Sequence, residues 1–326
     1  MNKVIFGDCR ESIRKLASKG IQVRMCVTSP PYFGLRDYSI DGQIGQEKTP
    51  EQYVSNLVEI FRGIKNILAD DGTFWLNLGD SYWGSWGNFG NRPELDNKTL
   101  NQREKKTDYI NRKGFDDYRD RPPSSYKHPV LKNKDLIGIP WRVAFALQAD
   151  GWFLRQDIIW HKPNPMPSSI KDRCTTAHEY LFLFSKSKKY YFDYKALQEP
   201  ATNAGKVVQL GEKSFSKGQA NGAGVKPSGN GCKDTVPNFR NKRSVWTIPT
   251  KGYKGAHCAA YPPNLIIPCI LAGSRKGDIV FDPFMGSGTT AQVAVELGRQ
   301  YLGCELNPEY EKLINARLEA VEPAKV

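Results

Sequence analysis

Asp278-Ile279-Val280-Phe281-Asp282-Pro283-Phe284-Met285-Gly286-Ser287-Gly288-Thr289-Thr290 decides the fold, together with the helical pattern Ala291 to Leu297 and the run Gly298 to Glu305 behind it. It reads as strand, glycine loop, helix, strand and a closing carboxylate. Such a unit presents backbone N–H groups at a helix N-terminus and ends on an acid. Gly286 and Gly288 let a ligand approach the backbone closely. Glu305, about 20 residues past the loop, is placed to accept from two ribose hydroxyls. The loop has no GxGxxG, which disfavours a nicotinamide cofactor, and no GxxxxGK followed by Ser or Thr, which excludes a P-loop.

Working outward, the rest of the chain keeps the same rhythm. Val4 to Phe6 reads as a short strand, Glu11 to Ser18 as a short helix and Val23 to Thr28 as a buried strand. Thr49-Pro50-Glu51-Gln52 is a helix start, with Thr49 as N-cap and Pro50 at the first position. Tyr53, Leu57, Ile60, Phe61, Ile64 and Leu68 then fall at helical spacing. Asp71-Gly72 ends that helix, and Thr73 to Leu78 is a strand. Trp141 to Gln148 reads as helix, and Phe153 to Trp160 and Tyr180 to Phe184 as strands. The alternation predicts an α/β sheet covered on both faces.

The second chemical signal is Ser29-Pro30-Pro31-Tyr32, at the end of the apolar run Val23 to Thr28. Two successive prolines fix the backbone and remove two N–H donors. A rigid edge of acceptors remains, a hydroxyl and backbone carbonyls beside an aromatic face. That edge suits a flat group carrying an exocyclic NH2.

Both motifs together resemble the amino-group DNA methyltransferases that use S-adenosyl-L-methionine. The resemblance extends through Phe6-Gly7-Asp8-Cys9, Thr28 to Tyr38, Gly72 to Asp80 and Pro140 to Val143. It continues through Ile158 to Asn164 and Tyr261-Pro262-Pro263-Asn264-Leu265. The catalytic motif precedes the cofactor motif, which is the circularly permuted order of the family's β group. The implied fold is a Rossmann-like methyltransferase α/β domain with an inserted target-recognition region. Residues 1–196 form the catalytic part, with a polar insertion at 84–135, residues 197–258 the recognition region, and residues 259–326 the cofactor-binding part.

The resemblance also assigns roles. Ser29 Oγ and the Pro30 carbonyl accept from the target amine, Pro31 stiffens the loop, and Tyr32, helped by Phe33, stacks on a flipped base. Asp8 holds the adenine amino group, although Glu11 three residues on also lets it read as an N-cap. Asp282, Phe284, Gly286 and Gly288 line the methionine end, Thr289 and Thr290 begin the helix beyond, and Glu305 holds the ribose. Pro262 and Leu265 wall the site. Trp160, Lys162 and Pro163 match the family without an assigned chemistry. Within the family, Ser before Pro-Pro-Tyr is associated with cytosine N4 and Asp with adenine N6. The reading taken is cytosine N4, with adenine N6 as the alternative. RNA or protein-amide methylation and a catalytically dead DNA-binding protein are the remaining rivals.

Composition agrees. The 326 residues carry a formal net charge of +13, which suggests a polyanionic partner, here double-stranded DNA. Residues 197–258 hold ten Lys and Arg against three Asp and Glu, with seven glycines between Gly205 and Gly231. Such a segment can follow a phosphate backbone. Phe239, Arg240, Asn241, Lys242, Arg243 and Trp246 are its expected base and phosphate readers. The 84–135 stretch reads equally as a second DNA clamp or as an insertion.

Seven scattered cysteines and four unclustered histidines give no metal site, and reduced thiols fit a cytoplasmic, nucleoid-associated protein. No apolar stretch is long enough for a membrane span. Cys269 follows Pro268 within a helical pattern, so it is not read as the nucleophile of carbon-5 methylation. A cognate restriction endonuclease, a homodimer and the recognition sequence all stay open at this level.

Overall fold

A computed structural model describes residues 1–35, 38, 40–84, 128–205, 207–209, 233–235, 237–250 and 261–321. Most of the polar insertion, most of the glycine-rich basic segment, and His257 and Cys258 lie outside these residues. The chain divides into two compact units, residues 1–192 with 244–326, and residues 193–243.

The larger unit begins with β1 (Lys3–Phe6), α1 (Cys9–Ser18) and β2 (Val23–Thr28). Helix α2 (Pro50–Ile67) and strand β3 (Leu68–Leu78) follow. Next come α3 (Ile139–Ala149), β4 (Phe153–His161) and β5 (His178–Ser185). The smaller unit holds β6 (Glu199–Pro200), β7 (Val207–Gln209), β8 (Lys233–Thr235) and β9 (Phe239–Arg240). The larger unit resumes with β10 (Val245–Thr247), α4 (Pro263–Gly273) and β11 (Ile279–Asp282). It ends with α5 (Thr289–Glu296), β12 (Gln300–Glu305) and α6 (Glu311–Glu319).

Among the described residues the main sheet has eight strands in the order β1-β12-β11-β2-β3-β5-β4-β10. The run from β1 to β3 is parallel, β5 is antiparallel to both neighbours, and β10 is parallel to β4. The sheet therefore undoes the permutation of the sequence. Strand β11, near the C-terminus, lies beside β2, and β12 lies beside β1. The connections leave β11 and β2 in opposite directions, so the crevice at their carboxyl ends is a topological switch point, where ligands of open α/β sheets bind.

Alternate residues of the central strands feed two cores. Cys26, Phe74, Phe182, Phe184 and Phe281 pack under α1, α2 and α3. On the other face Gly273 of α4 lies against Thr73 and Met25. Helix α2 forms as its sequence predicts. Thr49 Oγ1 accepts from Gln52 N at 3.2 Å, and Tyr53, Leu57, Ile60, Phe61 and Ile64 are buried along one face.

The helix stops earlier than its apolar period suggests. Leu68 is extended at ψ 138° and pairs with Val23 on β2, where it is fully buried. Pairing with the sheet outweighs the local helical pattern. Asp71-Gly72 is consequently not a helix-ending turn. It sits inside β3 where the register with β2 shifts, and a Cβ on Gly72 would lie 2.6 Å from Leu68 Cγ.

A second correction concerns Trp246. It lies on β10 beside Trp160 of β4 and is only 4% exposed, so it is a core residue rather than a base reader. Strand pairing also returns residues 244–250 to the larger unit, inside what the sequence treats as recognition region. Within the smaller unit, Arg240 Nε and Arg243 Nε both reach Glu199 Oε1, at 3.0 and 3.3 Å.

Candidate active site

A cleft of about 530 Å³ opens in the larger unit at the switch point. Its walls come from the β1–α1 turn, the segment after β2, the end of β3, the starts of β5 and α5, and the residues after β12.

At one end the glycine loop builds a carboxylate-lined wall. Gly288 caps α5 at φ 85°, a left-handed conformation that favours glycine. Glu305, at the end of β12, is only 8% exposed. Its two oxygens accept from Gly286 N at 2.7 Å and Asn307 N at 2.8 Å. Burial pushes its pKa above the ordinary carboxylate value. Phe284, Met285 and Thr289 complete this wall.

Asp8 caps α1, accepting from Arg10 N at 2.8 Å, and its carboxylate is gripped by the Arg10 guanidinium at 2.7–3.1 Å. Partial burial raises the Asp8 carboxyl, but its bonds to Arg10 outweigh that and hold it below the ordinary range. The N-cap reading and a place on the cleft wall therefore coexist.

Asp282 is in a different position. Its carboxylate lies beneath the cleft, 1% exposed. Thr28 Oγ1 and Phe284 N donate to Oδ1 at 2.5 and 3.0 Å, and Thr290 Oγ1 and Tyr261 Oη donate to Oδ2 at 2.5 and 3.1 Å. Burial raises its pKa. Four donors around one carboxylate make a clamp that fixes the loop. Asp282, Thr290, Gly288 and Pro262 thus stand behind the wall rather than on it, and Leu265 is fully buried. Tyr261, which the resemblance includes without a role, lines the cleft itself.

At the other end stands Ser29-Pro30-Pro31-Tyr32, all four residues on the cleft wall. Ser29 Oγ donates to Tyr32 Oη at 3.2 Å, and Tyr32 Oη reaches Glu179 Oε2 at 2.8 Å and Asn77 Oδ1 at 3.1 Å. Asn77 Nδ2 donates to the same Glu179 oxygen at 3.1 Å. Lys162 Nζ pairs with Glu179 Oε1 and lies 4.4 Å from the Trp160 ring centre. Burial and the Glu179 charge push the Tyr32 phenol well above its ordinary pKa, so it stays protonated and donates. The Tyr32 ring packs on Gly79, where a Cβ would lie 2.6 Å from ring Cε2. Phe33 is not in the cleft. It is 1% exposed and packs on Tyr53.

Tyr53 Oη donates to the Pro31 carbonyl at 2.8 Å, which pins the proline turn to α2. Glu179 carries no recognisable motif, Asn77 falls in the Gly72 to Asp80 stretch without an assigned role, and Tyr53 reads only as a helix-core residue. Their place at the site comes from β5, β3 and α2, and only the sheet order shows it. Burial pushes the Cys9 thiol, on the cleft wall, up to about 12, so it is not a thiolate nucleophile at neutral pH. Among the described residues no group of three His, Cys, Asp or Glu could hold a metal ion, and no helix is long and apolar enough to cross a membrane.

The sequence profile of the DNA methylase family, which covers N6 and N4 methyltransferases, matches residues 23–316. The chain is 45% identical over 314 residues to the Type II methyltransferase M.XycI of Xanthomonas campestris pv. cyanopsidis, covering 96% of this chain and 86% of that one. It is 43% identical over 320 residues to the Type II methyltransferase M.SmaI of Serratia marcescens, covering 97% and 90%. Among solved structures, the PvuII cytosine-N4-specific DNA methyltransferase aligns with TM-score 0.57 at 18% identity, over 97% of this chain and 86% of that one. The M1.HpyAVI–SAM complex aligns with TM-score 0.53 at 18% identity, over 98% and 100%. These two likenesses show a shared methyltransferase fold.

Proposed function

This chain belongs to the DNA methylase family of N6 and N4 methyltransferases, and from that premise we propose that it transfers a methyl group from S-adenosyl-L-methionine to N4 of a cytosine flipped out of double-stranded DNA. The observation that carries this reading is the Ser29–Tyr32–Glu179 chain of hydrogen bonds.

An exocyclic amine on a base is a weak nucleophile because its lone pair is delocalised into the ring. Acceptors on both N–H bonds free that lone pair. Ser29 commits its own hydrogen to Tyr32, whose phenol is turned toward the Glu179 carboxylate. The Ser29 lone pairs are then available to the amine. The Pro31 carbonyl is already taken by Tyr53, so the second acceptor is the Pro30 carbonyl. Tyr32 offers its ring to the base, in keeping with the roughly 1–3 kcal/mol that base–aromatic stacking contributes. No covalent enzyme intermediate is needed. The protein supplies position and a dry, oriented site.

The donor and acceptor set at the glycine-loop end fits S-adenosyl-L-methionine. Glu305 is the acceptor for ribose hydroxyls, Asp8 for the adenine amino group, and Phe284 and Met285 give apolar contact. Bound there, the cofactor supplies an electrophilic methyl on a sulfonium. Glu305 and Asp8 orient it toward the Ser29 end of the same cleft.

Cytosine is favoured over adenine by the neutral hydroxyl at the acceptor position, where the family's adenine enzymes usually carry Asp. Arg240, Lys242 and Arg243 are proposed phosphate contacts of the recognition region, with Glu199 holding two of them in place. A cognate endonuclease is the partner that a Type II methylase implies.

Single-molecule sequencing of genomic DNA from a methylation-free host expressing the chain, beside a Ser29→Ala control, tests the reading. N4-methylcytosine in one fixed motif, absent from the control, supports it. Modified adenine, or no modification, overturns it.

A further inference from the structure

The segment Pro163-Asn164-Pro165-Met166-Pro167, which follows β4, plays no part in the chemistry described above. It carries the most exposed large apolar side chain among the described residues, Met166 at 87%. A single exposed apolar residue needs no explanation by itself. Here its stiffness and its place supply one.

Prolines at 163, 165 and 167 fix φ at every second position, and each biases the residue before it toward extended backbone. Met166, between two of them, cannot fold back into a turn. Asn164 is clamped to the residue-250 backbone from both sides. Thr250 N donates to Asn164 Oδ1 at 2.9 Å, and Asn164 Nδ2 donates to the Thr250 carbonyl at 3.0 Å. At the foot, Lys162 N donates to the Ala177 carbonyl at 2.8 Å. The result is a rigid tongue fastened to the β4 and β10 side of the sheet. Pro165 and Met166 line the same cleft as Ser29 and Tyr32, so the thioether is held in water at the rim of the pocket proposed to receive the base.

We propose that Met166 is the wedge that enters the base stack as the target nucleotide leaves it. The proposal rests on the reading that the chain acts on a base of duplex DNA. A departing base opens a gap with two flat apolar faces. An unbranched, polarisable thioether adapts to such a gap, and apolar wedges of this kind stabilise unstacked steps in other DNA-binding proteins. The stiff backbone means that little ordering entropy is lost on insertion.

The test uses the purified full chain as wild type, Met166→Ala and Met166→Leu. Single-turnover methyl transfer is measured on a duplex carrying the methylated site, and on the same duplex with an abasic position opposite the target. A wedge predicts that Met166→Ala slows transfer about tenfold on the paired duplex and stays within about twofold of wild type opposite the abasic position, where extrusion costs less. Met166→Leu, which keeps the apolar bulk, stays near wild type on both. Equal loss on the two duplexes, no loss on the paired one, or a Leu variant as slow as Ala overturns the proposal. A wild type that methylates neither duplex overturns the underlying reading, which separates that failure from failure of the wedge.

Discussion

Thr28 Oγ1 donates to Asp282 Oδ1 at 2.5 Å across the seam between β2 and β11, two residues 254 positions apart. Thr28 is followed directly by Ser29 of the acceptor edge, and Asp282 opens the glycine loop. One buried hydrogen bond therefore ties the segment proposed to bind the methyl acceptor to the loop proposed to bind the donor. Thr28→Val, close in shape, should destabilise the fold by about 1–2 kcal/mol by leaving a buried carboxylate short of a donor. It should also weaken S-adenosyl-L-methionine binding and transfer together. Denaturant unfolding and calorimetry check this; unchanged stability would deny Asp282 its clamping role.

Ser29→Ala removes an acceptor without disturbing the proline turn, which Tyr53 holds. Transfer should fall by about 10²–10³-fold, the loss typical of one preorganised polar group at a reacting centre. Cofactor affinity should stay within about twofold, because the loop end of the cleft does not depend on Ser29. Single-turnover rates beside equilibrium binding separate the two effects.

Glu179 and Lys162 form a partly buried pair beneath Tyr32, with side-chain exposures of 16% and 19%. Lys162→Met should cost more activity and stability than the Lys162→Met, Glu179→Gln double variant, because the single change leaves an uncompensated carboxylate. A double-mutant cycle on melting temperature and rate gives the coupling, expected at about 1–3 kcal/mol. Additive effects would mean that the pair does not act as a unit.

The Glu305 carboxyl is raised by burial, and its proposed role toward the ribose is that of an ionised acceptor. Cofactor binding should therefore decline as pH falls through the raised pKa, starting above the ordinary glutamate value. Glu305→Gln should bind more weakly and lose that pH dependence. The sign for folding is separate. A folded pKa above the unfolded one makes the group's contribution greatest below the unfolded pKa, and that contribution is lost as pH rises through the folded value. Calorimetry between pH 5 and 8 checks the binding arm; a pH-independent wild type would deny Glu305 the role.

Trp246→Ala should act on stability, not on recognition. The indole is buried beside Trp160, and its removal should cost about 3–5 kcal/mol as a large core truncation. DNA affinity of the remaining folded protein should be unchanged, as measured by anisotropy on the folded fraction.

Much of this was legible in the sequence because the motifs are local. The glycine loop, the proline turn and Glu305 are each read from a few adjacent residues, and Thr49-Pro50 announces α2 through backbone chemistry alone. The errors have a common physical source. Leu68 and Gly72 took their conformation from pairing with β2. In the sequence Trp246 and Phe33 read as ligand contacts, because aromatic residues near basic or catalytic motifs look the same whether they face a cleft or a core. Asp282 carries a motif acid's signature, yet its neighbours Thr28, Thr290 and Tyr261 turn it inward. Glu179 has no local signature and Asn77 sits in the Gly72 to Asp80 stretch without a legible role, because strand order, not sequence spacing, delivers both to Tyr32.

The most direct test of the central claim is to incubate the purified chain with duplex DNA and methyl-labelled S-adenosyl-L-methionine, digest the DNA to nucleosides and locate the label. Label is expected in N4-methyldeoxycytidine with wild type and is expected to be lost with Ser29→Ala. Label in N6-methyldeoxyadenosine, or in cytosine with Ser29→Ala undiminished, would contradict it.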